Sequence, residues 1–109
     1  MAIPTMSQHQ FELNSPKQGH VQVTVGYDAQ LSEAFLSYFK KGATFSTSGG
    51  VTIDDLQEIA VTQLGVELPQ PVIDAVHGDL ADLRLGASDV GRRITQYDPD
   101  GNVLKTHRW

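Results

Sequence analysis

Hydrophobic and polar positions alternate at the start of this chain and fall into helical spacing in its middle. Phe11 and Leu13 are separated by polar neighbours, the run NSPKQG supplies turn chemistry, and Val21, Val23 and Val25 then alternate with His20, Gln22 and Thr24. A period of two over both runs predicts a hairpin with one buried face, its register held because a one-residue slip would turn the valines into water. From Thr52 to Leu64 the period changes. Ile53, Leu56, Ala60 and Leu64 form one stripe, widened by Ile59 and Val61, which predicts an amphipathic helix. Thr52 is placed to cap it, Asp55 follows three residues on, acidic Asp54, Asp55 and Glu58 suit the positive end of the helix dipole, and Gly65 suits its left-handed stop.

A second helix is predicted after GVELPQP, where Pro69 and Pro71 impose an extended crossing and Pro71 fits a first helical turn. Val72, Ile73, Val76, Leu80 and Leu83 carry its apolar spacing, Asp74, Asp79 and Asp82 fall on other faces, and Gly86 is a stop. Gly78 is a defect, costing roughly 1 kcal/mol relative to Ala, so a bend or split is expected there unless something packs closely. The end of the chain holds two strand-like runs, Ile94 to Tyr97 and Val103 to Thr106, around the turn YDPDGN.

Residues 29–40 admit two readings. Asp28 can cap a helix with Leu31, Ala34, Phe35, Tyr38 and Phe39 on one face, or Phe35 to Phe39 can be a strand that turns at Lys40, Lys41 and Gly42 and returns through Ala43 to Thr47. The β-branched and aromatic content of both halves favours strands. Strands, two helices and strands again predict an α+β domain, an antiparallel sheet of four to five short strands with two helices packed on one face. Residues 1–9 are read as a flexible N-terminus and 10–109 as a single domain.

Charge narrows the partners. Eight Lys and Arg against 13 Asp and Glu give a formal net charge of -5, which opposes general binding to phosphate backbones unless the basic residues converge. With no cysteine there is no disulfide framework, thiolate metal site or thiol nucleophile. MAIPTMSQHQ lacks the basic start and apolar run of a signal peptide, and no window has the length and apolarity of a membrane span, so a cytoplasmic location without membrane association is expected.

Candidate chemistry is sparse. His9, His20, His77 and His107 lack the close spacing of metal ligands, and DPDG is explained by a β-turn since Val103, Leu104 and Lys105 follow where a calcium loop needs oxygen ligands. No nucleophile elbow or phosphate-binding glycine loop is present, and Asp54 with Asp55 is accounted for by the helix dipole. No cofactor, metal or catalytic residue is predicted.

The elements VTVGYDAQL, FLSYF, TIDDL, LGVELPQPVIDAV and RRITQYDPDGNVL together resemble a group of small uncharacterised bacterial proteins carried on plasmids and integrative elements. The resemblance spans roughly 21–104 and implies a mobile-element setting and the strand reading of Phe35 to Phe39, with no site residue to transfer. With size and charge, it leads to the expectation of a small, acidic, non-enzymatic protein that binds another protein with a basic surface, as an anti-CRISPR inhibitor of a host defence complex does. Asp74, Asp79 and Asp82 are the expected charged face, and Tyr38, Tyr97 and Trp109 the expected aromatic anchors if exposed. The alternative is a DNA-associated accessory or regulatory factor in which Lys40, Lys41, Arg92, Arg93, Lys105 and Arg108 gather on one sheet face. A third reading is a small enzyme whose histidines and carboxylates meet in a pocket. A homodimer through an unpaired C-terminal edge stays open.

Overall fold

The predicted hairpin forms as β1 (Gln8–Ser15) and β2 (Gly19–Asp28), antiparallel, with Leu13 opposite Val21, Phe11 opposite Val23 and His9 opposite Val25. The computed structural model describes residues 7–47, 49–86 and 93–108, with Arg108 described by its backbone alone. Residues 29–40 take the strand reading: β3 (Glu33–Lys40) continues the meander beside β2, and β4 (Ala43–Ser46) folds back on it, stacking Phe45 on Tyr38 with ring centroids 5.3 Å apart. Two helices follow, α1 (Asp55–Leu64) and α2 (Gln70–Arg84), and then β5 (Arg93–Tyr97) and β6 (Val103–Arg108).

The fold is α+β, but its sheet departs from the expected one. It has six strands in the order β4-β3-β2-β1-β5-β6, and it is mixed, because β5 lies parallel to β1. The helices cause this: they carry the chain from the β4 edge back across the sheet, so β5 lands on the free side of β1 running in the same direction. Period-two patterning reports which face a residue takes and is silent about which strand lies alongside.

The start of the chain also departs from expectation. Gln8 and His9 belong to β1, His9 is buried, and Ser7 continues the pairing, its N–H donating to the Tyr27 carbonyl at 3.1 Å while its Oγ accepts from the Tyr27 N–H at 3.1 Å. Gly26 makes this possible, since a Cβ there would lie 1.9 Å from the Ser7 carbonyl oxygen. Residues 1–6 of the expected flexible segment lie outside the described residues.

Buried alternate residues of β1, β2 and β3 share one apolar cluster with Leu56, Ala60 and Leu64 of α1 and Val72, Ile73 and Val76 of α2. The ends of α1 are satisfied as its sequence suggests. Thr52 and Asp55 form a capping box one turn ahead of the regular helix: the Asp55 N–H donates to Thr52 Oγ1 at 3.3 Å and the Thr52 N–H to Asp55 Oδ2 at 2.9 Å. Gly65 closes it at φ 80°. The terminal carbonyls of Thr62, Gln63 and Leu64 accept from Lys17 Nζ, Gln18 Nε2 and Ser15 Oγ, so the β1–β2 turn caps the helix.

The joint between the helices is fixed by Gln57, which donates to the Leu68 carbonyl at 2.9 Å and accepts the Leu68 N–H at 2.6 Å. Gly101 of the DPDG turn packs on the same joint, at φ 91°, where a Cβ would sit 2.8 Å from Pro69 Cβ. The α2 helix runs unbroken through Gly78, although among the described residues no atom outside the helix's own adjacent backbone comes within 4 Å of where a Cβ would be.

Candidate functional site

The acidic face predicted on α2 is dismantled by the fold. Asp74 is exposed and accepts from Gln70 Nε2 at 2.8 Å, and Asp82 is occupied by Arg93, whose Nη2 lies 3.3 Å from its Oδ2. Asp79 is buried at 7% exposure. It lies seven residues from Val72 and three from Val76, on the apolar stripe itself, which is the signal the sequence contained. The aromatic anchors fare similarly: Tyr38 and Tyr97 are buried, and Trp109 lies outside the described residues.

Asp79 meets a histidine and a tyrosine in the interior. His9 Nε2 is 2.5 Å from Asp79 Oδ2 and His9 Nδ1 is 2.8 Å from the Tyr97 hydroxyl, so β1, α2 and β5 are tied through one carboxylate–imidazole–phenol chain. With Asp79 ionised, Nε2 donates to it and Nδ1 accepts from the neutral phenol. Burial, reinforced by the negative charge of Asp79 and opposed by a hydrogen bond with Thr95, pushes the Tyr97 pKa up to about 12. His9 and Tyr97 are 6% and 5% exposed, so these hydrogen bonds satisfy polar groups held in the interior. His9 escaped the sequence reading because its apolar period was traced only from Phe11, although His9 occupies the same alternate set.

Among the described residues, the basic ones expected to converge are divided between the two edges of the sheet. Lys40 and Lys41 lie at the β3–β4 turn, and Arg93, Lys105 and Arg108 on the β5–β6 hairpin at the other edge, with β2 and β1 between them, a separation on the order of 20 Å. Lys105 pairs with Gln96 and the Arg108 backbone with Arg93. Arg92 lies outside the described residues.

A concavity does form elsewhere. Tyr27, Ser32, Val51, Thr52, Ile53, Asp54, His77, Leu80 and Arg84 line a cleft of about 360 Å³ where the β2–β3 loop meets the entry to α1 and one side of α2. His77, Leu80 and Arg84 are spaced for one helical face. Ser32, the non-glycine residue with positive φ among those described, stands on the loop wall at φ 53°, and Asp28 Oδ1 braces that loop by accepting from the N–H groups of Gln30 and Leu31. His77 Nε2 lies 3.9 Å from Asp54 Oδ1, beyond hydrogen-bonding distance and with both side chains at least half exposed. The carboxylate nearest His77 thus comes from the entry to α1 and not from α2 itself. No local signal links Tyr27, Ser32, Asp54 and Arg84, because three separate stretches of chain supply them.

Two further depressions, of about 280 and 240 Å³, share Gln10 and Gln22; Phe11, Tyr97, Pro99 and Leu104 line the first, and mainly hydroxyls and aromatic rings the second. Among the described residues no three His, Asp or Glu side chains converge as metal ligands would, and no helix is long and apolar enough to cross a membrane. Comparison with family models, curated proteins and solved structures gives no match.

Proposed function

We propose that this chain is a non-enzymatic protein-binding protein that docks, through helices lying together on one face of the sheet, onto a basic surface of another protein. Charge segregation carries the reading. Between residues 51 and 86 the sequence holds seven acidic residues and one basic residue, Arg84, so the helical layer is more acidic than the whole chain. Asp55, Asp79 and Asp82 are spent on the capping box, on His9 and on Arg93, which leaves Asp54, Glu58, Glu67 and Asp74 exposed to a partner. Of the three aspartates expected on α2, Asp74 belongs to this set, and Asp54, Glu58 and Glu67 join it.

Such a surface complements the positively charged grooves with which nucleic-acid-guided effectors hold their guides and targets. In the mobile-element setting that the sequence resembles, the specific role is an anti-CRISPR type of inhibition, in which acidic side chains occupy a groove meant for phosphates. Equilibrium binding to purified defence effectors at two salt concentrations tests this. Binding that weakens with salt, and falls about tenfold or more in Glu58→Lys/Glu67→Lys/Asp74→Lys, supports it. No interaction between the unaltered chain and any effector removes it.

A further inference from the structure

We infer that the cleft between the β2–β3 loop, the entry to α1 and α2 is a binding site for a small monocarboxylate with an apolar body. This goes beyond the docking role and does not depend on it. The floor is apolar, with Val51, Ile53 and Leu80, and the rim carries the phenol of Tyr27, the hydroxyls of Ser32 and Thr52, His77, and the guanidinium of Arg84. A cleft of about 360 Å³ falls in the range that small organic ligands fill.

Arg84 decides the charge of the ligand. It is the single basic residue of the acidic helical layer, yet it makes no ion pair among the described residues, while Asp82, two positions earlier, is held by Arg93. A guanidinium at the rim of an apolar floor presents paired N–H donors suited to a carboxylate. Asp54 limits the site to one negative charge. Its carboxylate, 3.9 Å from His77, offsets part of the positive field and leaves one guanidinium to meet the ligand, enough to offset the desolvation of a singly charged carboxylate but not of a phosphate dianion. Ser32, whose backbone is held at φ 53°, contributes the β2–β3 loop's share of the lining.

The probes are hexanoate, phenylacetate, hexanol and phenyl phosphate, titrated into the isotope-labelled full chain and followed by amide chemical shifts. Saturable shifts centred on Tyr27, Ile53, His77 and Leu80 with hexanoate or phenylacetate, about tenfold weaker with hexanol or phenyl phosphate, are expected. Arg84→Gln, an exposed change at the end of α2, is expected to weaken the carboxylates by about tenfold and leave hexanol unaffected. The carboxylate-to-hexanol comparison uses the unaltered chain, so the result stands even if the variant folds poorly. Absence of saturation with both carboxylates, equal affinity for hexanol, or tighter binding of phenyl phosphate overturns the assignment. Loss of effector binding in the lysine variant bears on the docking role and leaves this result untouched.

Discussion

The two helices make their contacts in opposite ways. Everything that defines α1 sits close by in sequence or in the adjacent hairpin turn: the Thr52–Asp55 box at its start, the Leu56, Ala60 and Leu64 stripe, Gly65 at its end, and the turn residues Ser15, Lys17 and Gln18 on its last carbonyls. By contrast, α2 begins without a side-chain cap and carries a carboxylate on its core face, which is tolerable only because His9, 70 positions earlier, and through it Tyr97 reach it. One helix is specified by its neighbourhood and the other by the closed fold. A short stretch of sequence can therefore display the cap, the stripe and the stop of the first, its last carbonyls apart, while the reasons for the second exist only once β1 and β5 lie side by side.

Removing the carboxylate breaks this contrast most sharply. In Asp79→Ala the buried N–H of the neutral His9 imidazole loses its charged acceptor and the truncated side chain leaves a small void, together a cost of about 3 kcal/mol. Replacing the whole chain together, as His9→Leu/Asp79→Leu/Tyr97→Phe, removes every polar group at once and is expected to recover most of that loss. Urea unfolding of both variants measures it. If Asp79→Ala stays within about 1 kcal/mol of the parent, the chain is not what holds α2 to β1.

Tyr97 gives the same region a pH signature. Its pKa is raised from 10.0 to about 12 in the folded protein, so the folded state holds the phenolic proton more tightly than the unfolded chain. The stability it contributes is complete below pH 10 and is lost as pH rises from 10 towards 12. Tyr97→Phe removes this slope, and a phenolate absorbance titration of the folded protein lagging that of the urea-unfolded chain confirms its origin. Coincident titrations would deny that Tyr97 is held neutral by the interior.

What could be read in advance follows the same division. The helix at Thr52 to Leu64 was legible because cap, stripe and stop are local, and β3 was legible because FLSYF and ATFSTS both carry strand-forming residues. The parallel β1–β5 pairing was not, since a period of two says nothing about the neighbouring strand. Asp79 and His9 lay within reach. Each interrupts an apolar period at a position that belongs to it, and a charged or titratable residue on a buried stripe signals a partner elsewhere. The cleft had no such signal, because its cation, its phenol and its carboxylate come from α2, β2 and the entry to α1.

The joint between the helices sharpens the comparison at a smaller scale. Gln57 projects from α1 and both donates to and accepts from the backbone of Leu68, which is 3% exposed, so Gln57→Ala leaves a buried N–H and carbonyl without partners. The expected cost is about 1 to 3 kcal/mol, with hydrogen exchange at Leu68 accelerated relative to the amides of α1. A loss indistinguishable from that of an exposed α1 substitution would mean that the proline crossing, not Gln57, sets the angle between the helices.

The smallest effects separate the helices by sign. Thr52→Ala removes a local cap from α1 and is expected to cost about 1 kcal/mol. Gly78→Ala in α2 goes the other way. The helix is continuous there, Gly78 does not have a positive φ, and no atom of the described residues beyond the helix's own adjacent backbone lies within 4 Å of the added methyl, so nothing described in the fold requires the glycine. Its backbone freedom only stabilises the unfolded chain, and the change to alanine should gain about 1 kcal/mol, read as a higher urea midpoint at unchanged slope. A destabilised Gly78→Ala would place a neighbouring surface against that point of α2, and a partner docked on the helical layer would then be the first candidate to test by repeating the measurement with an effector bound.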